Sequence, residues 1–314
     1  MTAPAITVVV PVFDGENYLA ATLRSALDQT YPIAELIVID DGSSDSTAAI
    51  AESFGAAVHL HRTANQGVSA ARNLGISLAK TEWVALLDHD DIWEPNHLEC
   101  LAAAIQRRPD ADAVYGRVRR YVMERRMDSA QGQFVLADAL PFPDETKVAR
   151  LLMERCPILT SAMALRRSRI LALGGFDSYF SNAQDWDMWV RLAKAKAVFV
   201  GSPEITTLYR VHCESRTHNA LRALGYYLDV LERDILPALP AWKRLPHQLR
   251  VSSRLESEAA IMMRELKQPG ALRMMLRSVA RWPIEESRRY MILASMLLRV
   301  RSRRNQFRSN RRTA

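Results

Sequence analysis

Two uninterrupted apolar runs, Ile6-Thr-Val-Val-Val10 and Glu35-Leu-Ile-Val-Ile-Asp40, constrain this chain more than anything else in it. Neither alternates apolar with polar residues, so each strand needs cover on both faces, as buried parallel strands do. Between them, Glu16–Gln29 puts Leu19, Leu23, Ala26 and Leu27 at helical spacing, and Pro32 stops the helix. Parallel strands need a crossover of this kind. The rhythm continues with a strand at Val58–His61, a helix at Gly67–Ala79, a strand at Trp83–Leu87, a helix at Asn96–Arg107 and a strand at Ala113–Tyr115. Pro11 is expected to end the first strand. The pattern is that of an α/β protein with a doubly wound, mostly parallel sheet, whose ligands bind beyond the carboxyl ends of the strands.

Beyond Arg117 the pattern loosens. Residues 117–157 read as irregular, with a helix near Thr146–Glu154; Asp185–Ala195 is helical, and Ala197–Val200 and Thr206–Tyr209 are short strands. After Ala220 only helical segments appear, broken by Pro237, Pro240, Pro246, Pro269 and Pro283. A boundary near His218 gives a domain over 1–218 and a helical region over 219–314. Charge divides there too: residues 1–217 carry 22 basic and 27 acidic side chains, whereas 218–314 carry 20 and 8. The three cysteines (Cys100, Cys156, Cys213) form no CxxC pair, which argues against a zinc ribbon or a disulfide framework. The N-terminal run reads as a strand and not as a signal peptide. Tyr290–Leu298, nine apolar-rich residues, is too short to cross a bilayer, which takes roughly 20. A cytoplasmic protein, at most peripheral on the membrane, is expected.

The acids cluster where strands end. Pro11-Val12-Phe13 follows the first strand and Asp40-Asp41-Gly42-Ser43 the second. A ring can stack on a nucleobase while a carboxylate accepts its imide N–H; the same residues also suit a loop in which Asp41 caps a helix. Asp88-His89-Asp90-Asp91 follows a third buried strand. Three carboxylates in four residues repel one another, and a divalent cation with oxygen ligands would offset that cost. Gln184-Asp185-Trp186-Asp187 opens a helix, where a carboxylate among aromatics suits a general base; Asp187 is also spaced for an ion pair with Arg191. Arg72 lies on a helix after Gly67, and His212 follows a strand in Tyr209-Arg210-Val211-His212. Each of these two also has an ordinary structural explanation.

Taken in order, PVFDGENYL, ELIVIDDGSSDST, NQGVSAARNLGI, WVALLDHDDIWEP, GGFDSYFSNAQDWDMWVRL and YRVHCES resemble the motifs of family 2 glycosyltransferases, over about residues 5–216. The resemblance implies a GT-A fold and inverting sugar transfer from a nucleotide-sugar donor, a UDP-sugar by preference, to a saccharide or lipid-linked acceptor in cell-surface polysaccharide or glycolipid assembly. It implies Phe13 stacked on the base with Pro11 shaping the wall, and Asp41, with Asp40, on base or ribose. Arg72 would lie near the base, Asp88 and Asp90 would be the DxD pair on Mn²⁺ or Mg²⁺, Asp185 the base, and His212 near metal or diphosphate. Many relatives have Glu-Asp where this chain has Gln184-Asp185; losing that neighbouring carboxylate lowers the pKa of Asp185 relative to such a pair. A nucleotide-sugar-binding protein without transfer activity and a nucleotidyltransferase share parts of the pattern. The second usually carries a basic Gly-rich loop where this chain has the acidic Val12-Phe13-Asp14-Gly15-Glu16.

After Glu286 the sequence has no acid, and nine arginines lie between Arg288 and Arg312 around Tyr290–Leu298. That mixture suits an interfacial helix on anionic lipid, and equally a packed helix with a basic tail. No nucleic-acid recognition motif accompanies the charge, so no nucleic-acid partner is expected.

Overall fold

The computed structural model describes residues 3–124, 133–211, 220–265, 268–284 and 289–297. It divides into two compact units, Met1–Ser215 and Arg216–Ala314.

The first unit holds one mixed sheet of nine strands: β1 (Ile6–Val12), β2 (Glu35–Asp40), β3 (His59–Arg62), β4 (Trp83–Leu86), β5 (Ile92–Trp93), β6 (Ala113–Glu124), β7 (Gln133–Ala139), β8 (Met163–Arg166) and β9 (Phe199–Val211). Their order is β3-β2-β1-β4-β8-β6-β9-β5, with β7 on β6. The first four strands are parallel, as the apolar runs require. Every residue of β1 is buried, so both its faces belong to the interior. Pro11 does not end β1. The strand continues through it to Val12, because Pro11 needs only its carbonyl to stay in register opposite Ile39.

Helices α1 (Leu19–Leu27), α2 (Thr47–Glu52), α3 (Val68–Leu78) and α4 (His97–Arg107) make the crossovers. A methyl group at Gly75 would collide with Val9, so its hydrogen sets how closely α3 lies on β1. The stretch expected to be irregular differs most. The strand at 113 runs to Glu124, β7 folds back on it, and β8 inserts antiparallel between β4 and β6. The two short strands expected near 197–209 are one continuous β9, which runs parallel to β6 with register shifts around Arg117. Helices α5 (Val148–Leu152), α6 (Arg167–Ala172) and α7 (Gln184–Lys194) complete the unit.

The second unit is helical where it is described: α8 (Ala220–Val230), α9 (Ala241–Glu265), α10 (Ala271–Arg281) and a helical stretch over 289–297. Buried Glu256 on α9 accepts from Arg281 at 3.0 Å and pairs with Arg277 at 2.8 Å, which fastens α10 to α9.

Candidate active site

Strand register assembles the site. Val12 lies opposite Asp40, and Val9 opposite Leu86, so Phe13, Asp41 and Asp88 leave the sheet at one edge. The first two loops are bonded together there. The Asp14 N–H donates to Ser43 Oγ (2.9 Å), the Gly15 N–H to Thr47 Oγ1 (2.8 Å), and the Asp14 carboxylate accepts the Ser44 N–H (2.8 Å). Phe13 is half-buried.

The two adjacent aspartates differ. Asp40 is fully buried; its oxygens accept the Ser43 N–H (2.9 Å) and Arg62 Nε (3.0 Å) and so hold the loop in shape. Asp41 accepts the Gln66 N–H (2.9 Å) and the Thr63 hydroxyl (3.2 Å) on Oδ1, and the Gly67 N–H (2.7 Å) on Oδ2. Oδ1 is saturated, whereas Oδ2 keeps one lone pair. Asp41 thus sets the entry to α3, and with it the position of Arg72.

The acid turn is tied down from three sides. The Asp91 N–H closes it on the Asp88 carbonyl at 3.1 Å. Thr22 of α1 places its hydroxyl 2.7 Å from the His89 carbonyl and 2.8 Å from that of Asp91. Ser161 accepts the Asp88 N–H (3.1 Å) and donates to Asp91, whose other oxygen accepts the Arg210 N–H of β9 (3.0 Å). Burial, with the like charges of Asp90 and Asp88, pushes the Asp91 carboxyl well above the usual range, against the Ser161 hydroxyl and the Arg210 N–H. Asp91 is thus turned inward to hold the turn, and Asp88 and Asp90 remain partly exposed.

Arg72 crosses from α3 to this turn. Its Nη2 donates to Asp88 at 2.5 Å, and its guanidinium lies 5.4 Å from the centre of the Phe176 ring. The side chain is 2 % exposed, and Nε and Nη1 have no hydrogen-bond partner among the described residues. Two buried guanidinium donors facing no acceptor suit an anionic or carbonyl-bearing ligand. Next to it, Asn73 bonds both backbone groups of Phe176: Nδ2 donates to its carbonyl (2.9 Å) and Oδ1 accepts its N–H (2.7 Å). Gly175 makes that approach possible. Its φ is +75°, and a Cβ there would lie 2.5 Å from Asn73 Oδ1. Gly175→Ala is therefore expected to destabilise the fold by roughly 2–4 kcal/mol, from left-handed strain plus the collision. A thermal or urea melt checks this; an unchanged midpoint would contradict it.

The same loop delivers Asp185 at the start of α7. Asp187 is ion-paired with Arg191 at 2.7 Å, and Arg191 also donates to the Gly175 carbonyl at 2.8 Å, which leaves Asp185 as the half-buried acid of this helix start. Asp185 Oδ1 accepts the Trp186 N–H at 2.8 Å, and Oδ2 lies 3.8 Å from the Cys156 thiol. Burial raises its pKa above 3.8; Arg72 and the Trp186 N–H pull it down, and Asp88 pushes it up. Both Arg72 and Asp88 are thus within electrostatic reach of Asp185, although 97 positions separate Asp88 from Asp185. Gln184 Oε1, beside Asp185 in sequence, is buried with no partner among the described residues.

Tyr209 is within electrostatic reach of the same acids: burial raises its pKa, and Asp91, Asp90, Asp88 and Asp185 all push in the same direction. Arg210, on the other face of β9, lies 4.9 Å from the centre of the Tyr18 ring. His212 is outside the described residues. Asn73, Asp91, Ser161 and Tyr209 are the contributors that motif reading left without a role. Alternation along Tyr209-Arg210 could have flagged Tyr209; Asn73 acts through the backbone of Phe176, and Ser161 through the Asp88 N–H and the Asp91 carboxylate, all distant in sequence, so neither leaves a sequence signal.

A divalent cation fits these residues in one way. Among the described residues, no three His, Cys, Asp or Glu side chains are arranged to hold a metal ion. Two part-exposed carboxylates on a fixed turn, Asp88 and Asp90, match instead the donor set of Mg²⁺ or Mn²⁺ that completes its shell with substrate phosphates and water.

The sequence model described as Glycosyl transferase family 2 matches residues 7–174, more than half of the chain. A PGL/p-HBAD biosynthesis glycosyltransferase of Mycobacterium bovis is 28% identical over 287 residues, covering 90% of this chain and 98% of its own. An uncharacterized glycosyltransferase of Rickettsia typhi is 28% identical over 232 residues, 72% of this chain and 70% of its own. Among solved structures, the Pyrobaculum calidifontis mannosyltransferase in complex with GDP-Man and Mn²⁺ superimposes with a TM-score of 0.61 at 17% identity, over 95% of this chain and 81% of that one. S. aureus TarS 1–349 in complex with UDP-GlcNAc gives 0.54 at 15% identity, over 88% and 89%. These likenesses establish a GT-A-type fold. With strand-end acids, a buried arginine and Asp185 at one sheet edge, and with this family match, the chain belongs to glycosyltransferase family 2 and is a glycosyltransferase.

Proposed function

We propose that this enzyme moves a sugar from a nucleoside diphosphate donor, a UDP-sugar by preference, to a hydroxyl of a saccharide or lipid-linked acceptor, with inversion. The observation that carries the reading is the grouping of Arg72, Asp88 and Asp185. It joins a ligand-facing guanidinium, a metal-competent carboxylate and a base. The nucleotide complexes of the structural relatives support a nucleotide-sugar donor. The role we propose is in cell-surface polysaccharide or glycolipid assembly; the mycobacterial relative's name supports a glycosyltransferase of a biosynthetic pathway. The cytoplasm is the proposed location.

In this reading the half-buried Phe13 stacks its ring on the base, against a wall that includes Pro11. The remaining lone pair on Asp41 Oδ2 accepts an N–H or O–H of base or ribose. Asp40 supports the loop from behind, and Arg72 presents its two unsatisfied donors to the nucleotide. Mn²⁺ or Mg²⁺ on Asp90 and Asp88, with His212 as a further ligand, would neutralise the departing diphosphate. Asp185 takes the proton of the acceptor hydroxyl as its oxygen bonds the anomeric carbon and the bond to the diphosphate oxygen breaks on the opposite face. No enzyme nucleophile is needed. Gln184 Oε1 offers an acceptor for a second hydroxyl of the same substrate.

The test is a thermal-shift panel of UDP-, GDP- and dTDP-sugars with Mn²⁺, followed by transfer and donor-hydrolysis assays, since a bound donor raises the melting temperature by mass action. Transfer with inverted anomeric configuration is expected. Donor binding without transfer or hydrolysis would reject the enzyme reading, and retained configuration would reject single displacement. EDTA is expected to remove at least about 10²-fold of the activity, and Mn²⁺ or Mg²⁺ to restore it, because the metal carries much of the charge neutralisation. Full activity in chelator would reject the metal role.

A further inference from the structure

The helical stretch 289–297 is apolar on both its inner and its outer face. Arg289 fixes which face is inner. It is 5 % exposed, and its guanidinium donates to Ser253 Oγ (2.5 Å), Ser278 Oγ (3.3 Å) and the Trp282 carbonyl. Ser253 and Ser278 are themselves cross-bonded, each hydroxyl to the other's carbonyl, at 2.8 and 2.7 Å. Turning the helix would strand a buried charge, so its rotation is locked. Ile292, Leu293 and Met296 then pack inward with Ala260 and Met275. The opposite face presents Tyr290 (40 % exposed), Met291 (64 %), Ala294 and Leu297 (46 %). The Tyr290 hydroxyl donates to the Pro283 carbonyl, and Ile284, the next residue, is 81 % exposed. The other hydroxyl of this helix, on Ser295, is spent on the Ile292 carbonyl at 2.7 Å.

A helix with apolar residues on two opposite faces is normally covered on both. The surrounding sequence selects what covers this one. Nine arginines lie between Arg288 and Arg312, and no acid follows Glu286. Residues 298–314 offer only Leu298, Val300 and Phe307 as large apolar side chains, too few to bury the face. A second copy would bring the same arginines against these and be repelled. An anionic bilayer supplies both an apolar phase and a counter-charge.

We propose that this helix lies in the interface of an anionic membrane, with Tyr290, Met291, Ala294 and Leu297 toward the acyl chains and the neighbouring arginines at the headgroups. The association is peripheral: no described helix is long and apolar enough to cross a membrane. It stands apart from the catalytic reading.

The full chain is sedimented with vesicles of phosphatidylcholine alone and of phosphatidylcholine with phosphatidylglycerol. Binding to the anionic vesicles is expected to be at least about 10-fold stronger and to fall as salt rises. The double variant Met291→Glu/Leu297→Glu, at exposed positions, is expected to lose about 10-fold of that binding with an unchanged melting temperature. The triple variant Arg301→Gln/Arg303→Gln/Arg304→Gln is expected to lose the preference for anionic lipid. Equal binding to both vesicle types, or anionic binding that neither variant weakens, would overturn the proposal. So would a solution dimer, seen by analytical ultracentrifugation, that the double variant dissolves.

Discussion

Asp185→Asn is expected to bind donor as the parent does and to lose about 10²–10⁴-fold in kcat, the usual worth of a positioned general base. The substitution is nearly isosteric. Asparagine keeps an oxygen for the Trp186 N–H, so the start of α7 and the loop from Gly175 need not move. What disappears is the carboxylate proposed to take the acceptor's proton. The pH profile carries an independent signature. Burial raises the pKa of Asp185 above 3.8, so the acid limb of kcat in the parent should lie above that of an ordinary aspartate: activity falls as the base is protonated and rises with pH through its pKa. The variant's residual rate should lack this limb. The checks are steady-state transfer kinetics across pH and the donor-induced shift in melting temperature. Near-parent turnover in Asp185→Asn would remove Asp185 from the chemistry. A lost thermal shift would mean that it supports donor binding instead.

This assignment depends on structure in a way the nucleotide end does not. The family match stops at residue 174, before α7 begins. The sheet edge at which the nucleotide is proposed to bind is legible because β1, β2 and β4 announce themselves: their residues are buried on both faces, so they read as unbroken apolar runs with acids where they stop. Strands β7 and β8 give no such signal, and β6 and β9 give it only in part. β6 continues from Ala113-Val-Tyr-Gly into Arg117-Val-Arg-Arg-Tyr121, a charged stretch that holds its place by pairing with β9, more than 80 residues away. β8 is four residues long and exists as a strand because β4 and β6 leave a gap between them. Propensity summed over so short a window cannot compete with such non-local pairing. The site divides on the same principle. Asp88, Asp90 and Asp185 stand out by charge at the ends of recognisable elements. Asp41 was equally balanced in the sequence between ligand and cap, and its three bonds to the segment 63–67 show it setting the start of α3. Asp91, the third acid of its turn, is legible as a carboxylate but not as the one that turns inward; that follows from Ser161 and the Arg210 N–H, which only the folded chain brings to it.

Arg72 is where these groups meet, and its replacement should be the second most damaging. Arg72→Met keeps much of the apolar stem beside Phe176 but removes the partner of Asp88 and the counter-charge that lowers the pKa of Asp185. Two effects then have fixed signs. Donor affinity falls, because the two free guanidinium donors are gone; charge-assisted hydrogen bonds are each worth about 1.5–3 kcal/mol, so kcat/KM should drop by roughly 10²-fold. The acid limb of kcat moves to higher pH, because without the nearby positive charge the base is protonated over more of the range. Arg72→Lys is expected to restore the second effect more than the first. An ammonium supplies the charge, but it cannot reach Asp88 and also offer a planar fork to the ligand. Measuring kcat and kcat/KM against pH for the three proteins separates the roles. An acid limb in Arg72→Met that stays where the parent has it would mean that Arg72 serves the nucleotide alone and that the three groups do not act together on the acceptor's proton.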